Sequence, residues 1–148
     1  MRLTKATDYA LRVLLYAASF PDRQVSTEEL AEAFHISLNH LGKVVNQLAQ
    51  LGWIDARRGR GGGLTLARAP EAIGIGEVVR AIEPDLHLVE CFDGARNTCP
   101  IVPACGLVAP LAEARRAFFA VLDRYTLADV RPTEGSPREE KLIALLGA

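Results

Sequence analysis

Between Ser26 and Ala67 the chain reads STEELAEAFHISLNHLGKVVNQLAQLGWIDARRGRGGGLTLA, and its punctuation leaves few folds open. Ser26 and Glu29 are spaced as a capping box, in which each side chain satisfies the other residue's orphan backbone N–H. A tight turn at His35 and Ile36 follows, and Ser37 can cap a second helix. Leu41, Val44, Val45, Leu48 and Leu51 would line the buried face of that helix, and Gly52 suits a left-handed stop. Two short β-prone runs, Trp53–Ala56 and Leu64–Ala67, then flank an Arg/Gly-rich turn and read as a hairpin. Upstream, Thr4 can cap a helix over residues 4–18, with Ala6, Tyr9, Ala10, Val13, Leu14 and Ala17 on one face. Helix, capped helix, turn, capped helix, hairpin is the element order of a winged helix-turn-helix.

The rest of the chain hangs on that core. IGIGEVVRAIEP reads as a short helix ending near Pro84. Residues 109–130 read as one long helix, with Leu111, Ala114, Phe118, Val121 and Tyr125 at alternating spacings of three and four. That stripe suits a dimer contact, although it could equally face the domain's own core. From Arg131 the chain is rich in Pro, Gly and Ser and is expected to be loose up to a short apolar end. The expected fold class is therefore mainly α. It comprises a winged helix-turn-helix domain over 1–84, a cysteine-containing loop over 85–108, a dimerisation helix over 109–130 and a loosely ordered tail over 131–148. Asp8 and Arg12 interrupt the N-terminal apolar run and no small-residue cleavage site follows, so a signal peptide is not expected. No stretch approaches membrane-spanning length, and a reducing, cytoplasmic setting is expected.

Charge is distributed unevenly. Residues 1–70 hold nine Lys and Arg against six Asp and Glu; residues 71–148 hold eight against twelve. A basic front half suits a reader of polyanions, with sensing or assembly left to the acidic half. On the second capped helix Asn39, His40, Lys43 and Gln47 lie opposite the leucines, with Ser37 at its N-terminus. Amides can donate to and accept from base edges, Lys neutralises phosphate, and the helix N-terminus offers free N–H groups. An ordinary solvated helix face would look the same. The hairpin tip tilts the balance, because it brings Arg57, Arg58 and Arg60 together on a glycine-rich turn. Arginine fits the narrow, electronegative minor groove of DNA. The run lacks the Walker GK[ST] of a phosphate loop, and no nucleophile–base set or paired carboxylates point to an enzyme.

All three cysteines, Cys91, Cys99 and Cys105, fall within CFDGARNTCPIVPAC. An odd number cannot pair completely within one chain, and in a reducing compartment clustered thiols favour metal or redox chemistry. Three thiolates can hold three corners of an iron–sulfur cubane or of a tetrahedral zinc site. The spacing matches neither the CxxC knuckle of structural zinc nor a ferredoxin run. A wide, proline-containing loop wraps a large cluster more readily than a single ion, so an iron–sulfur cluster is favoured ahead of zinc. A thiol redox switch or plain buried cysteines also remain open. His87, Glu90 and Asp93 are near enough in sequence to supply a fourth ligand.

With LTKATDYALR, NHLGKVVNQL, RRGRGGGL, IGEVVRAIEP, CPIVPAC and LDRYTLADV in order over residues 1–130, the chain resembles the Rrf2 family of bacterial winged-helix regulators, and within it the nitric-oxide-sensing repressors. The resemblance implies a homodimer that binds a pseudo-palindromic operator in double-stranded DNA while it holds an iron–sulfur cluster, and lets go when nitric oxide attacks that cluster. It places the cluster cysteines on Cys91, Cys99 and Cys105. Asp8 becomes a fourth ligand donated by the partner subunit, Arg58 the minor-groove arginine, and Asn39, His40 and Lys43 the base-reading positions. The first cysteine gap is longer than the family pattern. The sister branch that holds 2Fe–2S carries a histidine three residues after the last cysteine, where Val108 stands here. Family regulators of iron–sulfur biogenesis or cysteine metabolism share the fold and differ in signal. On the wing assignment, Arg58→Ala should weaken DNA binding broadly and shallow its salt dependence by about one phosphate equivalent. An unchanged slope and affinity in a salt titration would refute that assignment.

Overall fold

The computed structural model describes residues 2–57, 59 and 62–146. Its elements run α1 (Lys5–Ser19), α2 (Thr27–Phe34), α3 (Leu38–Gln50), β1 (Ile54–Arg57), β2 (Gly63–Leu66), α4 (Ile75–Ile82), α5 (Val108–Leu122), α6 (Leu127–Val130) and α7 (Pro137–Leu146). The architecture is mainly α, with a winged helix-turn-helix as expected.

Local signals explain the first half closely. Thr4 accepts from the Thr7 N–H at the start of α1. Ser26 and Glu29 form the capping box of α2 in both directions, at 3.0 and 3.4 Å. His35 closes α2 in the left-handed region, with φ 53°, and makes the tight turn into α3. At the far end of α3, Gly52 takes φ 72°, which a side chain would resist. The Trp53 N–H then reaches back to the Leu48 carbonyl at 3.1 Å and turns the chain into the wing. β1 and β2 pair antiparallel from Ile54↔Leu66 to Arg57↔Gly63. At the wing tip a side chain on Gly62 would collide with the Arg57 carbonyl, so the turn requires glycine there.

The core gathers Ala10, Val13, Leu14 and Ala17 of α1, Leu41, Val44 and Leu48 of α3, Trp53 and Leu64 of the wing, and Val78 and Ile82 of α4. Tyr16 also lies in it, with its hydroxyl donating to Glu29 at 2.6 Å. The same Glu29 accepts two hydrogen bonds from the Arg23 guanidinium, at 2.6 and 3.0 Å.

Two expectations need correction. The helix expected over 109–130 stops at Leu122, and α6 is a separate turn. The cause is tertiary. The Ile75 N–H donates to the Tyr125 carbonyl and the Leu127 N–H to the Ile73 carbonyl, at 2.9 and 2.8 Å. That backbone exchange pulls residues 125–127 out of helical geometry and buries Leu127 in the core. Asp129 then accepts from the Thr126 N–H and hydroxyl at 2.7 and 2.8 Å, starting the new turn. The tail expected to be loose instead forms α7. Ser136 accepts from the Glu139 N–H at 3.2 Å, Pro137 occupies the first helical position, and Glu139 accepts from the Gly135 N–H at 2.6 Å. Leu146 at its end packs against the core.

The Glu29 network carries a pH dependence. Hydrogen bonds from Arg23, and secondarily from Tyr16, hold its carboxyl below the ordinary carboxylate range against the opposing effect of burial. A depressed folded pKa gives a stabilisation that is complete above the unfolded value and fades as pH falls through the folded one. Glu29→Gln should therefore lower thermal stability at neutral pH and flatten its decline in acid. A decline as steep as the wild type's would place the titrating group elsewhere.

Candidate DNA-binding face and cysteine loop

α3 buries Leu41, Val44, Val45 and Leu48, and this leaves its opposite face free. Ser37, Asn39, His40 and Lys43 are all exposed there, together with Asn46. The Ser37 hydroxyl accepts from the His40 N–H at 3.4 Å, so it caps its own helix while remaining accessible. Arg57 is exposed where β1 enters the wing tip. Arg58 and Arg60 lie outside the described residues. Between α3 and the wing runs a cleft of about 490 Å³, bordered by Asn46 and Arg57 and floored by Gly42 and Gly62. Glu28 lines it too, so the cleft carries an acidic as well as a basic side chain. A second hollow, about 190 Å³, joins Lys5 and Tyr9 of α1 to His40, Lys43 and Gln47 of α3. The periodicity of α3 gives no sign of this contribution from α1. Its only trace in the sequence is that Lys5 and Tyr9 are four apart on one helix face.

Asp8 lies in the first turn of α1, its N–H bonded to the Thr4 carbonyl at 3.0 Å. Its carboxylate is gripped from both sides by Arg12, at 3.0 and 2.7 Å, and the pair is 46% and 44% exposed. Within one chain, then, Asp8 forms a surface ion pair one turn along its helix.

The cysteine loop has a different character. Cys91 sits in a short 3₁₀ turn, Glu90–Phe92; Cys105 closes another, Val102–Ala104; and the Cys99 N–H donates to the Asn97 side chain at 3.1 Å. All three thiols are unpaired and half-buried. No residue from 85 to 107 is buried, and Ile101 and Leu107 are 62% and 66% exposed. What holds the loop is polar. Glu90 accepts from the Thr98 hydroxyl at 2.6 Å, an interaction that holds its carboxyl below the ordinary range. Asp93 accepts from the Ala95 N–H at 3.1 Å and pairs with Arg96 at 3.6 Å. His87 faces Asp85 at 3.1 Å. Each of the nearby candidate fourth ligands therefore has a local partner. The Arg115 guanidinium of α5 stacks over the Phe92 ring at 5.1 Å and anchors the loop at that point.

Does this donor set suit an iron–sulfur cluster? Its chemistry does: three reduced thiols share one irregular, coreless loop that calls for something further to organise it. Among the described residues, however, no three His, Cys, Asp or Glu side chains converge as they would around a metal ion. The single chain supplies the donors without gathering them.

α5 shows the same incompleteness. None of its residues is buried; Val121 is 45% exposed, and Tyr125, just beyond its end, is 44% exposed. It docks on α4 through Arg80, which pairs with Asp123 at 2.6 Å and stacks on Phe119 at 4.4 Å. The apolar stripe is thus not the core of this chain.

A family model described as "Rrf2: Iron-dependent Transcriptional regulator" matches residues 3–132. The chain belongs to the Rrf2 family. Among Rrf2 relatives, the HTH-type transcriptional regulator NsrR of Bacillus subtilis strain 168 is 52% identical over 131 residues, covering 88% of this chain and 90% of that one. The HTH-type transcriptional regulator NsrR of Halalkalibacterium halodurans is 48% identical over 147 residues, covering 99% and 97%. Among solved structures, CymR, the global cysteine regulator of B. subtilis, superposes with a TM-score of 0.69 at 24% identity, covering 88% of this chain and 95% of that one. The IscR of T. potens gives 0.68 at 23%, covering 87% and 85%. At those identities the two structures establish the fold alone. Rrf2 membership makes this chain a transcriptional regulator and not an enzyme.

Proposed function

We propose that the chain is a homodimeric repressor that holds a 4Fe–4S cluster on Cys91, Cys99 and Cys105 and releases its operator when nitric oxide attacks the cluster. The observation that carries this reading is the cysteine loop itself. Three free thiols lie on a segment with no buried residue, in a family described as iron-dependent. The long identity with regulators named NsrR supports the choice of signal.

The dimer reading rests on α5, whose apolar stripe holds no buried residue among the described residues. A two-fold pair would present two α3 helices and two wings to successive grooves. Ser37, Asn39, His40 and Lys43 read the major groove, while Arg57, Arg58 and Arg60 take the backbone and minor groove.

Asp8 is the proposed fourth ligand, given to the partner's loop. Its exposed pair with Arg12 is worth only ~0.5 kcal/mol, so little opposes redirecting the carboxylate. When bound, the cluster supplies iron to which nitric oxide can add, and a corner held by oxygen exchanges more readily than one held by thiolate. Asp8 then ties the first turn of α1 to the other subunit. Its release frees the first turn of α1, which also borders the α3 face through Lys5 and Tyr9. Because two half-sites must be met together, a small rotation of one subunit misaligns both.

Anaerobic iron and sulfide analysis tests the cofactor directly. Cys99→Ala should lose the cluster and cluster-dependent operator binding, whereas Asp8→Ala should keep the cluster on its thiolates. Stopped-flow mixing with nitric oxide should then give Asp8→Ala a different rate from wild type. Identical rates and operator affinities would leave Asp8 as the partner of Arg12 alone, and a colourless protein with one zinc per chain would contradict the cluster. For the dimer, Phe118→Glu should yield monomers by sedimentation with the helical circular dichroism retained. A mutant that stays dimeric would move the interface away from α5.

A further inference from the structure

A single carboxylate joins the start of the cysteine loop to the helix that carries Asp8. Glu83 Oε2 accepts from the Thr7 hydroxyl at 2.6 Å, the Thr4 N–H at 3.0 Å and the Thr4 hydroxyl at 3.1 Å. Thr7 is fully buried, and among the described residues its hydroxyl has Glu83 and the Thr4 hydroxyl as partners. On the other side Glu83 stands on a firm base. Its N–H closes α4 on the Val79 carbonyl at 2.9 Å, and Pro84 ends the helix immediately after it. A negative charge at the N-terminus of α1 also complements that helix's dipole.

We infer that Glu83 is a positioning residue, which fixes the rotation of the first turn of α1 about its axis relative to the root of the cysteine loop in the same chain. Asp8 follows Thr7 directly, about 100° further round the helix at 3.6 residues per turn. Holding the Thr7 hydroxyl inward therefore aims the Asp8 carboxylate outward at a set angle. Neither Glu83 nor Thr7 belongs to the candidate ligands or to the DNA face. The consequence for sensing rests on the proposed role of Asp8 as a ligand to the partner's loop. Beyond the core packing of α1, its first turn is then held at two points: its own loop root grips it through Glu83, and the partner's loop grips it through Asp8. Release at one site loosens a helix whose other attachment leads to the second site, so the two loops of the dimer act together.

The test uses the full-length chain with Glu83→Ala, Glu83→Gln and Thr7→Val. Gln keeps a carbonyl acceptor, and Val keeps the shape of Thr7 while removing its donor. Hydrogen exchange reads the clamp without reference to the cluster. Amides of Thr4, Thr7 and Asp8 should exchange about tenfold faster in Glu83→Ala and Thr7→Val. Glu83→Gln should lie nearer wild type, and the protection of α3 should not change. Unaltered exchange at the first turn of α1 would overturn the inference, as would a loss of protection spread evenly through α1, α3 and α4. In the iron-loaded protein, Glu83→Ala should shift the rate of reaction with nitric oxide in the same direction as Asp8→Ala. The double variant should shift it no further. A wild-type rate in Glu83→Ala, alongside a changed rate in Asp8→Ala, would overturn the positioning role. Were Asp8→Ala itself unchanged, the ligand reading would fall, and the exchange measurement would still decide the clamp.

Discussion

The inner face of α1, made of Ala10, Val13, Leu14 and Ala17, is buried against α3, α4, α6 and β2 at once, and the positions of the other elements depend on that packing. Fully burying a residue such as Val13 or Leu14 contributes roughly 1.5–3 kcal/mol. The stripe is also close-packed, so α1 cannot slide without disturbing the recognition helix behind it. The outer face of the same helix carries Lys5, Asp8 and Arg12, which are free of the core. A single element thus holds the DNA-reading half together and presents polar groups to whatever lies beyond. A small displacement at its first turn would reach α3 as a rigid-body change.

Much of this fold was legible because its first half obeys local rules. Thr4, Ser26 and Ser37 cap where hydroxyls cap, His35 and Gly52 turn where a left-handed residue is needed, and apolar spacing marks the inward faces. The reading failed where tertiary contacts overrule a good helical pattern. Residues 109–130 keep an unbroken apolar stripe with no proline or glycine to stop it after Pro110. Nothing in that local pattern announces the backbone exchange with Ile73 and Ile75 that breaks the helix at Leu122. α7 is a different case. Ser136, Pro137 and Glu139 form a sound helix start, and the surrounding Pro/Gly/Ser composition hid it.

The candidate site divides in the same way. The exposed set on α3 follows from knowing which face its leucines bury, so Asn39, His40 and Lys43 could be read from periodicity. The neighbouring Lys5 and Tyr9 could not, because α1 and α3 meet only once the core is assembled. The clamp of Glu83 on Thr4 and Thr7 spans nearly eighty residues of sequence and leaves no mark in any local pattern. The cysteines stand out in the sequence by number and spacing alone. What the structure adds is their setting: a polar, coreless loop beside a helix with an uncovered apolar stripe. Both features fit the proposed repressor, in which a bound group would organise the loop and a second copy of the chain would cover α5.

In the proposed mechanism, DNA release follows the loss of the cluster. Anaerobically purified protein, bound to a labelled operator, can be titrated with nitric oxide while cluster absorbance and DNA anisotropy are recorded on the same sample. The proposed function requires the two signals to fall together, with the protein remaining dimeric at the end point. Operator that stays bound after the cluster absorbance has bleached, or that leaves before it changes, would contradict it.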